Sequence, residues 1–128
     1  MNHLKQHEFV IWEGWPAFTF YSGSQEAFEA TMAGGKRAQE IISMAAVKGL
    51  DGTVYVVERP GRHGHVGAYM GKLGVSEIQI PGNTLDQGFL TSHGRYVNRV
   101  AGLSIAKAAN QLIRKTHPDY ELFSEDLW

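Results

Sequence analysis

One dipeptide does most to limit the fold. Asp51-Gly52 stands between two apolar runs, IISMAAVK (41–48) and TVYVVE (53–58). Asp-Gly accepts the backbone of a tight turn, and flanking apolar runs make it a strong hairpin signal. The runs therefore read as an antiparallel pair. GFLTSHGRYV (88–97) reads as a second hairpin, turning at His93-Gly94. Two short aromatic and β-branched stretches, 8–13 and 17–21, read as strands around Pro16.

Helices fill the intervals. Ser24 is placed to cap a helix over 25–33 that stops at Gly34-Gly35. Pro60-Gly61 ends the second strand of the Asp-Gly hairpin. A helix over 62–73 follows, with Val66, Met70 and Leu73 on one face and Gly74 as its stop. Gly64, Gly67 and Gly71 weaken this helix and line one side of it, where a backbone or ligand can approach closely. Residues 75–87 read as an irregular loop around Pro81-Gly82-Asn83. Asn98 caps the longest helix, 99–115, with Ala101, Ile105, Ala108 and Leu112 as its apolar stripe. Arg114-Lys115 suit its C-terminal dipole, and Pro118 bars continuation. The expected fold is α+β: a small antiparallel sheet packed with two or three helices in a single domain. Residues 1–40 read as an N-terminal extension and 41–128 as the core.

Length and composition agree with this. A chain of 128 residues with 43% hydrophobic content can bury a real core. It has no cysteine, which removes disulfides and thiol chemistry. No apolar run is long enough for a transmembrane helix, and MNHLKQHEFV lacks the apolar region of a signal peptide. A cytoplasmic protein is expected.

Charge is distributed in blocks. Residues 59–115 hold eight basic and two acidic side chains, against four basic and seven acidic in 1–58. Residues 116–128 hold four acids and no base, so the chain nets −1. A +6 block suggests an anionic partner. Its bland counterpart is neutralisation by the acidic ends folding back.

RPGRHGHVG (59–67) concentrates the block. His63 and His65 supply too few ligands for a metal site, and at i, i+2 on a helix they point apart. Either is a candidate general acid or base, although Glu58 alone is thin support for catalysis. Anion binding is the better chemical reading. Arg59 and Arg62 flank a glycine-containing turn at a helix start, where free N–H groups and guanidinium forks suit phosphate. TSHGRYVNR (91–99) adds Thr91, Ser92, Arg95 and Arg99. Phe89 and Tyr96 are candidate stacking faces for a base. The ordinary reading is a polar turn and a helix cap. In the tail, Leu122, Phe123, Leu127 and Trp128 are expected to dock, with Glu125 and Asp126 orienting nearby arginines in the same or a neighbouring subunit.

AAVKGLDGTVYVVERPGRHGHV (45–66), QGFLTSHGRYVNR (87–99) and LFSEDLW (122–128), in this order, resemble a group of small bacteriophage proteins associated with viral nucleotide sponges. These are the anti-CBASS and Thoeris anti-defence proteins that sequester immune signalling nucleotides. The resemblance covers about residues 41–128 and implies homo-oligomers holding a cyclic dinucleotide, a cyclic trinucleotide or a cyclic ADP-ribose isomer without catalysis. It implies no cofactor and no metal. Carried over, Arg59, Arg62, His63 and His65 face phosphates, and Phe89, Thr91, Ser92, Arg95 and Arg99 complete the pocket. The chain departs from the pattern at Val100-Ala101, at Ala109-Asn110-Gln111 and at Gly64. Rival readings are a nucleotide hydrolase using His63 or His65, a nucleic-acid module, and a protein-docking module using Trp12, Trp15, Phe18, Phe20 and Tyr21. Modest charge and the lack of a basic helix face argue against nucleic acid. Those five aromatics read more simply as core or subunit interface.

Overall fold

The computed structural model describes residues 3–32, 39–75, 87–116 and 119–128. It is α+β, as the sequence suggests. The strands are β1 (Lys5–Phe9), β2 (Phe18–Gly23), β3 (Ile42–Lys48), β4 (Val54–Val57), β5 (Gln87–Thr91) and β6 (Tyr96–Asn98). They form one antiparallel sheet in the order β1-β2-β4-β3-β5-β6. Residues 3–32 add β1 and β2 to the β4 edge of that sheet. The helices are α1 (Gln25–Thr31), α2 (His63–Lys72) and α3 (Arg99–Ala108).

Strand alternation sorts the core. Ala46, Val54, Val56 and Leu90 face α1 and its Phe28. Phe18, Phe20, Ala45, Val47, Tyr55 and Val57 point to the other face, under Val66, Tyr69 and Met70 of α2. Beside them Ile42, Phe89 and Val97 pack under Leu103 and Ala106 of α3 and under Leu122 and Leu127 of the tail. Trp128 packs against both of these clusters.

The Asp-Gly hairpin forms as expected. Gly49 N–H donates to Thr53 O at 2.8 Å, and Gly52 takes φ +90. The second hairpin turns at Gly94, φ +81. A Cβ there would lie 2.5 Å from Phe28 O, so glycine also lets the turn press against α1. The register of β3 on β5 shifts between Ile42 and Met44. This bulge gives β3 one extra residue, which puts Ile42 on the same face as Ala45.

Three elements differ from expectation. β1 ends at Phe9, because its partner β2 begins opposite it at Phe18. Residues 10–13 therefore belong to the connection, which turns through a Trp15 N–H to Trp12 O bond of 3.0 Å. α3 stops at Ala108 rather than at 115. Asn110 takes φ 55, Asn110 N–H bonds Lys107 O and Gln111 N–H bonds Ala106 O, the paired bonds of a Schellman stop. Its buried face is Arg99, Gly102, Leu103 and Ala106, not the stripe through Ala101 and Ala108. α1 closes at Thr31 with Met32 as cap. The expected stop at Gly34-Gly35, Pro118 and most of the 75–87 loop lie outside the described residues.

α2 runs close to its expected bounds, but Leu73 is exposed. Beside Cβ positions built at Gly64, Gly67 and Gly71, nothing described lies within 4 Å. Open helix positions favour alanine over glycine by about 0.5–1 kcal/mol. Gly67→Ala and Gly71→Ala are each expected to stabilise the fold by about that amount in urea denaturation. A loss of stability in both would show that the glycine face is occupied.

Candidate functional site

β4 leads directly into the basic turn. Gly61 N–H closes it on Glu58 O at 2.9 Å, and the Arg59-Pro60 bond is cis. Arg59 reaches back to the β3 bulge. Its Nη2 donates to Ile42 O at 2.5 Å and its Nε to Ser43 O at 3.3 Å, while its guanidinium lies over the Trp128 ring. Gln111 satisfies the same bulge, accepting from Ile42 N–H and donating to Ile42 O. The bulge thus turns backbone groups toward these two side chains.

The tail supplies most other arginine partners. Arg62 donates to Ser124 Oγ and to the backbone oxygen of Trp128, and lies 3.8 Å from Glu125 Oε1. Arg99 is buried on α3. It donates to Leu122 O at 2.7 Å and to Gln87 Oε1 at 2.8 Å, over the Phe123 ring. Arg114 donates to Glu125 O. Asp126 anchors this tail. It is fully buried, accepts from Thr116 N–H and Phe123 N–H at 2.7 and 2.9 Å, and pairs with Lys115 at 3.2 Å. Burial works against its charge, but these donors outweigh it and hold the carboxyl below its usual range. The acidic tail therefore folds back on the basic block within one chain.

The histidines have separate surroundings. His63 Nε2 donates to Gly88 O at 2.6 Å, and its ring stands edge-on to Phe89. Burial, then the charge of Arg99, pushes it down to about 4. His65 Nδ1 accepts from Arg62 N–H at 2.9 Å, which helps close the start of α2. Its ring packs among Trp12, Trp15 and Phe18, and burial, then Arg62, lowers its pKa. Each ring thus has one nitrogen in a structural hydrogen bond.

The hairpin group sits apart. Arg95 grips Glu40 with two bonds, Nε to Oε2 at 2.8 Å and Nη2 to Oε1 at 2.7 Å. Thr91, fully buried, donates to Glu40 Oε2 at 2.6 Å, and Ser92 Oγ accepts from Ile41 N–H. Arg95 chiefly, helped by Thr91, holds Glu40 down at about 2 against its partial burial. Phe89 is fully buried and offers no open face for stacking. The nine residues drawn together by the sequence motifs therefore divide into the tail-clamping arginines with His63, the aromatic-ringed His65, and the Glu40 cluster.

An open cleft lies beside the aromatic-ringed His65. A cleft of about 450 Å³ is lined by Trp12, Trp15, Phe18, Pro60, Arg62, Gly64, His65 and Glu125. Trp12 and Trp15 stand edge to face at 5.1 Å and remain 47% and 51% exposed. Of the nine, only Arg62 and His65 reach this cleft. From the sequence, Trp12 and Trp15 are expected in the core or an interface. The signal that frees them is Gly14-Trp15-Pro16, which turns the chain away from β1. No local pattern announces Glu40 or Gln111, whose partners lie 51 to 69 residues away. Among the described residues, no group of three or more His, Asp or Glu could hold a metal ion.

The depressed histidine and carboxylate set an acid dependence. A lowered folded-state pKa gives stability that is present above the unfolded value and lost as pH falls toward the folded one. His63 should weaken the fold between about pH 6.5 and 4, and Glu40 between about 4.5 and 2. His63→Gln should flatten the upper limb in pH-dependent urea melts. An unchanged limb would contradict the assignment.

A family model described as phage T4 y16D protein matches residues 41–128. The chain belongs to that family. It is a small phage protein, and the y16D match begins at the start of β3, leaving β1, β2 and α1 outside it. It spans the basic turn, the second hairpin and the tail, but not the two tryptophans of the cleft. Neither the curated proteins nor the solved structures offered a match to the chain. No helix among the described residues is long and apolar enough to cross a membrane.

Proposed function

We propose that this protein binds a cyclic nucleotide signal of the infected cell and holds it without turnover, so blunting antiphage defence. The observation that supports this best is the cleft whose lining combines two half-exposed indoles with Arg62. Indole faces accept a base by stacking, at about 1–3 kcal/mol per base. Arg62 and the adjoining start of α2 suit a phosphate. His63 and His65 have structural hydrogen bonds, which favours holding over cleaving. Arg95 lies outside this cleft, so the phosphate role falls to Arg62.

Glu125 competes for Arg62 at the mouth of the cleft. Removing its charge with Glu125→Gln should tighten nucleotide binding by about three- to tenfold, less at high salt. Equal affinity in titration calorimetry would remove Glu125 from the site. Self-association belongs to the same proposal, and Val10, exposed on the connection that carries Trp12 and Trp15, supports it.

The testing experiment is thermal melting against cyclic dinucleotides, cyclic trinucleotides and cyclic ADP-ribose isomers. Any stabilising ligand is then released by heat and run on chromatography. A large shift with intact ligand recovered is expected. Altered ligand would mean an enzyme, and no shift across the panel would end the nucleotide reading.

A further inference from the structure

The histidine of the aromatic cleft has one nitrogen to spare. His65 Nδ1 accepts from Arg62 N–H at 2.9 Å. A backbone N–H only donates, so the direction of this bond is fixed and Nδ1 carries no proton. Burial, then Arg62, lowers the pKa of His65, so the ring is neutral near pH 7. A neutral imidazole carries one proton, which therefore sits on Nε2.

That Nε2–H meets no acceptor among the described residues. Glu125, the one carboxylate of the cleft lining, pairs with Arg62 instead. His65 is 7% exposed, and its ring packs among Trp12, Trp15 and Phe18, which line the same cleft. Nε2 is not among the unpaired polar atoms sealed from solvent, so what remains open of this residue opens to the cleft. A ligand that fills the cleft without offering an acceptor would strand the donor among aromatic rings, which is costly. The imidazole plane is inclined at 59° to the Trp12 indole and at 57° to that of Trp15. A base stacked flat on either indole therefore meets the imidazole at a steep angle, edge toward ring rather than face to face.

Given the nucleotide reading of the cleft, on which this rests, we propose that His65 is its specificity-determining residue, with Nε2–H reading the N7 acceptor of a stacked purine. Adenine and guanine carry N7 at the same place, whereas a pyrimidine presents carbon there. One fixed donor thus suits either purine. His65 serves the base, and the phosphate is left to Arg62.

The test removes each side of this bond in turn. Adenosine monophosphate is compared with its 7-deaza analogue, in which carbon replaces N7. His65→Asn removes Nε2–H, while its Oδ1 can take the place of Nδ1 under Arg62 N–H. Isotope-labelled protein is titrated with each ligand and followed by NMR. On the parent protein the 7-deaza change should raise Kd about three- to tenfold, the effect of one neutral hydrogen bond. On His65→Asn the two ligands should bind alike, at the weaker affinity. Equal Kd for the two ligands on the parent protein overturns the role of His65 and leaves the cleft standing as a nucleotide site. No saturable shift at Trp12, Trp15 or His65 with either ligand overturns both.

Discussion

Asp126→Ala is expected to lower unfolding free energy by about 3 kcal/mol at pH 7, read as a shift of the urea midpoint. The carboxylate is fully buried and accepts from two backbone N–H groups while pairing with Lys115. Removing it leaves those N–H groups without their acceptor, and each such loss costs about 1–3 kcal/mol. The damage should spread, because Ile113 N–H bonds Asp126 O and the 3-10 turn at Ser124–Asp126 sets Leu127 and Trp128 into the core. Asp126→Asn keeps one acceptor oxygen and should cost less. A midpoint equal to wild type in the alanine variant would show that the tail does not hold the fold.

The second large effect concerns binding. Trp12→Ala combined with Trp15→Ala should raise the Kd for the bound nucleotide roughly 100-fold, since each stacked base is worth about 1–3 kcal/mol and 1.4 kcal/mol is tenfold. Both indoles are about half exposed, so truncation should leave the core intact. The melting curve without ligand should therefore stay near wild type. Loss of stability together with binding would instead make the indoles part of the fold. Arg62→Ala is a less clean variant, because Arg62 also holds Ser124 and Trp128.

The elements legible in the sequence are those with local causes. The Asp-Gly hairpin needs only Gly52 at positive φ and two apolar runs. Ser24 and Asn98 cap their helices as expected, each accepting an N–H three residues on. The end of α3 was not legible, because Asn110 rather than glycine takes the left-handed position. Its buried face departs from the hydrophobic spacing for a related reason. Arg99 sits on the inward face because Leu122 O and Gln87 receive its charge, and Gly102 fits against Phe89 and Leu122. Neither relation is visible in hydrophobic spacing.

The site divides in the same way. Sequence spacing marked arginines as anion ligands, yet Arg59 and Arg99 spend much of their hydrogen bonding on carbonyls of Ile42, Ser43 and Leu122. Those carbonyls become available only through a bulge and a docked tail, both products of tertiary structure. The acidic tail, by contrast, was readable as a counterweight to the basic block. The Glu125–Arg62 and Asp126–Lys115 pairs are its realised form. Trp12 and Trp15 read as core or interface because apolar aromatics are usually covered, whereas they sit on the eight-residue connection between Phe9 and Phe18 and stay about half exposed.

The most direct measurement is tryptophan fluorescence during titration with the nucleotide that most stabilises the protein. Stacking on Trp12 and Trp15 should quench emission saturably. The same titration on Trp12→Phe with Trp15→Phe should lose most of the quench, leaving only Trp128 to report. Full affinity by calorimetry in the Trp12→Ala, Trp15→Ala protein, with no saturable quench in the parent, would contradict the cleft as the nucleotide site.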